Sequence, residues 1–282
     1  MSDGRLRAAA PSVIAIPWFF ACAFGCARVP ARSPNVEPAA SEEVGANVAR
    51  SILPPIALAE VEDAVVRIVG PQMNCTGTLV APQLVLTAHH CVVERGPRGE
   101  FTAKRLDPKT LTIELGGDYL AWGTESVKAI VAPPCGHQGG AGDVAVLVLS
   151  RRLDGVATMK PRLAAPPEIG EPIEPVGFGR CALSEDGIHR HRRPGGSIRS
   201  MTGETIQVEA SICPGDSGGP MLGRGGHEIV GVVSLAAMDG NPNSRELGVM
   251  ARVDAYRRVL GQGRAIAEGI DPSDLPPLSC TE

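Results

Sequence analysis

The stretch Cys75-Thr-Gly-Thr-Leu-Val-Ala-Pro-Gln-Leu-Val-Leu-Thr-Ala-His-His-Cys91 holds two short β-like runs, 76–80 and 84–88, about a turn at Ala81-Pro82-Gln83. Folding on that turn brings Cys75 and Cys91 close enough to bond and holds His90 beside the bridge. Closing a loop of this length stabilises a fold by roughly 3 kcal/mol in the chain-entropy description of a disulfide. The same texture continues outward through 64–69, 111–115, 144–149, 173–178, 205–210, 229–235 and 248–253, with Gly and Pro between the runs. Many short strands separated by turn signals predict an all-β barrel or sandwich. A Pro-rich join at 166–172 splits the strands into two similar halves, and one helical stretch, from Asp254 to about Glu268, follows. The expectation is a two-barrel β protein.

Composition agrees with a folded core. The 282 residues are 43% hydrophobic and 21% charged, which excludes disorder throughout and allows one or two globular units. A formal net charge of −4 has no strong sign and lends no support to nucleic-acid binding. Four of the nine aromatics (Trp18, Phe19, Phe20, Phe24) lie in the first 24 residues, so the N-terminus reads as separate from the fold. There Arg5 and Arg7 precede an almost wholly apolar run, 13–25, too short to span a bilayer and suited to the core of a secretory signal peptide. It ends in Ala23-Phe24-Gly25-Cys26, which resembles a bacterial lipoprotein cleavage box, although Phe24 is bulky and no Leu leads it. Lipid at Cys26 would tether the protein to a membrane outside the cytoplasm, in the cell envelope. Ordinary secretion, with cleavage after a nearby alanine, is the other reading. Residues 27–54, rich in Ala, Pro, Ser, Glu and Arg, read as a linker or propeptide. Setting Cys22 and Cys26 aside leaves Cys75, Cys91, Cys135, Cys181, Cys213 and Cys280. None forms a C-x-x-C pair, and an even scattered set suits disulfides in an oxidising compartment rather than zinc.

Two further segments carry chemistry. Gly142-Asp143-Val-Ala-Val-Leu-Val-Leu149 sets an acid at the mouth of a strand apolar on both faces. A carboxylate so placed needs a partner, and a histidine N–H suits it. In Cys213-Pro-Gly-Asp-Ser217-Gly-Gly-Pro220 glycines surround one serine. They let the backbone turn sharply and aim N–H groups at one point.

Together the three segments resemble the trypsin/chymotrypsin family of serine peptidases over roughly residues 55–262, in the family's order of His, Asp, Ser. The resemblance implies two packed six-stranded antiparallel β-barrels, about 55–165 and 170–255, with a C-terminal helix and a tail from 263. It implies peptide or protein substrates, no cofactor and no metal. By it Ser217 is the nucleophile, His90 the general base and acid, and Asp143 the group orienting the imidazole. The N–H groups of Gly215 and Ser217 would form the oxyanion hole, and Ser234 would lie by the triad and pair with substrate backbone. His89 stands where the family has alanine; the family places its catalytic histidine directly before the cysteine, which selects His90 and leaves His89 at a strand end. The pocket for the side chain before the scissile bond would have Ser211 as floor and Ala236 and Gly248 as walls. That predicts cleavage after apolar, small to medium residues. The family match pairs Cys75 with Cys91. Cys181–Cys213 and Cys135–Cys280 are the expectation among three ways of pairing the other four.

Other readings are open. Gly215-Asp-Ser217-Gly-Gly219 also fits the G-x-S-x-G elbow of α/β-hydrolase esterases, but β-like sequence follows it and the last histidine, His227, comes only ten residues on. A secreted, catalytically inactive binding module of the same fold is the alternative from a different class. The run His189-Arg-His-Arg-Arg193 reads as a solvated loop, since neighbouring Gly and Pro offer no rigid ligand face. In the resemblance Asp216 pairs with an N-terminal amine freed by proteolysis. Arg67-Ile68-Val69-Gly70 looks like such a site but lies too near Cys75 and reads as the first strand; Arg50-Ser51-Ile52 lacks the signature. Asp216 is thus left without a partner.

Overall fold

Alternating and continuous apolar runs set the strands. In the computed structural model, which describes residues 60–280 apart from 118, 119, 135, 138 and 186, the first half holds eight of them. They are β1 (Val65–Val69), β2 (Asn74–Ala81), β3 (Leu84–Thr87), β4 (Val93–Arg95), β5 (Phe101–Arg105), β6 (Thr112–Leu115), β7 (Gly123–Val131) and β8 (Ala145–Leu149). Six close into a barrel in the order β1-β2-β3-β8-β7-β6, with β4 and β5 as a separate hairpin. β8 is buried at every position, as a strand apolar on both faces must be. The signal peptide, Cys22, Cys26 and the 27–54 linker lie outside the described residues, as does Cys135.

The second half holds β9 (Lys160–Pro161), β10 (Glu174–Gly177), β11 (His191–Arg192), β12 (Ile198–Met201), β13 (Thr205–Ala210), β14 (Pro220–Leu222), β15 (Glu228–Ala236) and β16 (Glu246–Arg252). Their order is β11-β10-β14-β15-β16-β13-β12, and β9 pairs parallel with β15. An antiparallel bridge between Pro172 and Ser197, with Ile198 N–H donating to Glu171 O at 3.0 Å, joins the β10 end to the β12 end. Six strands, β10 to β12 along that path, thereby form the second barrel, and β11 adds a short flap. After β16 a 3-10 turn (Val253–Tyr256) leads into α1 (Arg257–Ala267), which packs on β8, β7 and β3 of the first barrel. Gly263 permits that approach: a Cβ there would meet Val146 Cγ1 at 2.6 Å. Leu275 and Leu278 beyond the helix also pack against the core. Among the described residues no helix is long and apolar enough to cross a membrane.

Candidate active site

Pairing of β3 with β8 builds the first part of the site. Thr87, ending β3, lies opposite Ala145, opening β8, so the residues just beyond each strand meet at one barrel end. Those residues are His90, in a 3-10 turn spanning His89–Val92, and Asp143. Asp143 Oδ1 accepts from the His90 backbone N–H at 2.8 Å, and Oδ2 lies 2.8 Å from His90 Nδ1. A third donor comes from the second barrel. The register of β15 against β16 shifts at Ser234, and the irregularity turns its hydroxyl onto Asp143 Oδ2. Burial alone would raise the Asp143 carboxyl pKa; the His90 and Ser234 hydrogen bonds outweigh it and hold the group below the ordinary carboxylate range. An ionised Asp143 fixes the proton on His90 Nδ1 and leaves Nε2 as the acceptor.

Ser217 reaches the same place from the loop between β13 and β14. Thr76, on β2 of the first barrel, fixes that loop. Its backbone N–H donates to Ser217 O at 2.8 Å, and its Oγ1 donates to Gly215 O at 2.7 Å. Thr76 Oγ1 also accepts from Phe178 N at 3.0 Å. With both loop carbonyls turned toward Thr76, the N–H groups of Gly215 and Ser217 donate to no protein group among the described residues. Gly215 takes φ +104° and Gly218 φ +82°, and a Cβ on Gly218 would meet Thr87 Oγ1 at 2.1 Å. Glycine is required at both.

His90, Gly215, Ser217, Ser234 and Ala236 line one cleft of about 460 Å³. Among the described residues no hydrogen bond joins Ser217 Oγ to His90 Nε2. Ser211 is fully buried, and its hydroxyl donates to Pro242 O at 2.8 Å. Ala236 and Gly248 face each other across β15 and β16, and the Met250 methyl fills the space beside Gly248. Cys75–Cys91 and Cys181–Cys213 are both bonded; the partner expected for Cys280, Cys135, lies outside the described residues. The potential metal ligands Cys75, His90 and Cys91 do not suit an ion, because the two sulfurs are bonded to each other.

His89 is buried, and its pKa is lowered to about 4, chiefly by burial, with the Asp143 charge opposing. It sits in the 3-10 turn rather than at a strand end, its ring 5.7 Å from that of His137.

The run 189–193 corrects the sequence reading: it is not a solvated loop. Arg190 Nη2 binds Asp63 Oδ1 at 3.0 Å, Arg192 binds Glu62 and Glu174 at 2.5 Å each, and Arg193 is buried on Asp216. Sequence reasoning missed Thr76 and Arg193. Thr76 had a signal, a hydroxyl adjoining Cys75, whereas the Arg193 contact is set by tertiary structure alone.

The family model described as Trypsin matches residues 61–260. The chain belongs to the trypsin family. It is 28% identical over 173 residues to the mouse peroxisomal leader peptide-processing protease, a match spanning 59% of this chain and 26% of that protein. The chain thus spans about a quarter of that relative's length. Two solved structures share the trypsin-family fold. A Glu endopeptidase in complex with MPD superposes with a TM-score of 0.58 at 19% identity, covering 74% of this chain and 94% of that one. Neuropsin, a serine protease expressed in the limbic system of mouse brain, does so with 0.56 at 17%, covering 75% and 97%.

Proposed function

We propose that this serine peptidase is an endopeptidase that hydrolyses peptide bonds through an acyl-enzyme at Ser217. The observation that carries the reading is the convergence, in one cleft, of a serine, an Asp-held imidazole and two N–H groups with no protein acceptor among the described residues. Ser217 Oγ attacks the scissile carbonyl while His90 Nε2 takes its proton, a contact that tightens once substrate fills the cleft. The carbonyl oxygen gains the negative charge and is met by Gly215 and Ser217 N–H. His90 then gives its proton to the leaving amine, and water repeats the sequence on the ester. Ser234, which already donates to Asp143, would also border the substrate backbone.

The pocket proposal follows from the walls. Ala236 lines the cleft, Ser211 and Met250 are enclosed behind it, and none of them, nor Gly248, offers a charge to an arginine or lysine. Small to medium apolar side chains fit it. Two disulfides suit an oxidising compartment, so we place the enzyme outside the cytoplasm, free or tethered through Cys26. N-terminal sequencing of the mature protein tests the tether.

Treatment with a fluorophosphonate followed by mass spectrometry tests the chemistry. Labelling at Ser217, absent from Ser217→Ala, is expected, together with a loss of peptide turnover on the order of 10⁴–10⁶-fold in that variant. An unlabelled wild-type protein would instead favour an inactive binding module.

A further inference from the structure

Asp216, next to the proposed nucleophile, is completely enclosed, and every acceptor position facing a neighbour is taken. Its Oδ1 accepts from Gly179 N at 2.7 Å. Its Oδ2 accepts from Cys213 N at 2.9 Å and from Arg193 Nε at 2.8 Å. Arg193 Nη2 lies 3.4 Å from Oδ1 and also donates to Gly179 O. Arg193 is 4% exposed, and its own backbone is fixed by Pro175 O at 2.8 Å. The pocket has no slack: a Cβ on Gly179 would sit 2.6 Å from both carboxylate oxygens, and one on Gly177 would sit 2.4 Å from Oδ1. A chain terminus has no place to enter.

Position 216 is where the family resemblance calls for an amine released by cleavage. We infer that Arg193 takes that role from within the chain, as the positioning residue that holds the loop 213–217 in its working shape. The peptidase would then need no N-terminal cleavage to become active. Asp216 is itself tied to the loop on both sides, since its N donates to Cys213 O at 3.0 Å and Gly219 N donates to its O at 2.9 Å, so Arg193 reaches the loop backbone through this one residue. Losing the ion pair frees the backbone that aims Gly215 and Ser217 N–H at the cleft. An uncompensated buried carboxylate is also far from neutral in its effect on the loop.

The substitution of guanidinium for amine has a chemical consequence. An α-amine titrates near pH 8 and a lysine near 10.4, while arginine stays charged beyond 12. Among the described residues Asp216 is the one charged group in contact with Arg193; Glu62 and Glu174 are taken by Arg192 and Asp63 by Arg190. No other charge is in place to substitute.

The inference rests on the proposed serine chemistry, so its test has two readouts on the full chain: fluorophosphonate labelling with intact mass, and hydrogen exchange of the peptide spanning 211–220. Wild type should be labelled on chains with no new N-terminus inside the 27–60 region, at a rate that stays level from pH 8 to 10.5. Arg193→Met should slow labelling at least 100-fold and speed exchange of the loop amides at least 10-fold. Arg193→Lys should restore labelling at pH 7 and lose it between about pH 9 and 11, a limb that wild type lacks. Should Arg193→Met fail to fold, that limb decides. Labelling confined to newly cleaved chains, or an Arg193→Met protein matching wild type in both readouts, would overturn the inference. If wild type takes no label yet Arg193→Met loosens the loop, the serine chemistry fails and the positioning role stands.

Discussion

Thr76 Oγ1 donates to the carbonyl of Gly215 at 2.7 Å, across 139 residues of sequence. One hydroxyl of the first barrel therefore sets the direction of the nucleophile loop in the second. Thr76→Val keeps the shape and removes the hydroxyl, leaving the half-buried Gly215 carbonyl and the buried Phe178 N–H unpaired. Each unpaired group costs about 1–3 kcal/mol. We expect a lower denaturant midpoint and slower labelling of Ser217, with Thr76→Ser close to wild type on both measures. Equal behaviour of the Val and Ser variants would show that the hydroxyl does not set the loop.

Two adjacent histidines divide differently between chemistry and packing. His90→Ala should lower turnover on the order of 10⁴–10⁶-fold, because the triad acts as a unit. His89→Ala should cost far less. Steady-state kinetics on one peptide substrate compares them, and the reverse ranking would transfer the base role to His89.

His89 should make stability depend on pH. Its folded pKa of about 4 lies below the unfolded value near 6.5, so the folded state favours the neutral ring. Above pH 6.5 both states are neutral and the effect vanishes. As pH falls from 6.5 to 4 the unfolded chain binds a proton that the folded chain refuses. Stability is lost across that window, by about 3 kcal/mol. Urea unfolding at pH 7, 6, 5 and 4 measures the slope, which His89→Gln should flatten.

The pocket makes the fourth prediction. A peptide library should show cleavage after small or medium apolar residues. Ala236→Gly removes one methyl from the wall, and such a change shifts selectivity by ~1–3 kcal/mol toward larger apolar residues. A dominant preference of the wild type for Arg or Lys would mean that the base of the pocket is not the neutral Ser211.

The barrel strands that read clearly from sequence are those with a continuous or alternating apolar face, β8 above all. β7 did not read as a strand because its inward face includes Glu125, buried against Arg151, which interrupts the apolar alternation. The hairpin of β4 and β5 buries Val93 alone among its strand residues, and β5 is largely exposed. At the site, Asp143 and Ser217 stood out locally, as an acid at a strand mouth and a serine among glycines, while their roles, the choice of His90 over His89 and the part of Gly215 came through the resemblance. Arg193 was not. A cation beside Pro194 and Gly195 looks the same whether it meets water or a buried acid 23 residues away. Ser234 was expected at the site through the resemblance, whereas its contact with Asp143 depends on a local register shift that side-chain periodicity does not reveal.

The return of α1 to the first barrel has a consequence in time. Tyr256, which leads into the helix, takes the Gly142 N–H on its hydroxyl at 2.6 Å, 114 residues downstream of the turn that presents Asp143. Until that tyrosine has emerged from the ribosome, Gly142 lacks its anchor and β8 lacks its cover. The nascent chain accordingly carries His90 and Asp143 well before the residue that anchors the turn beside them has been made.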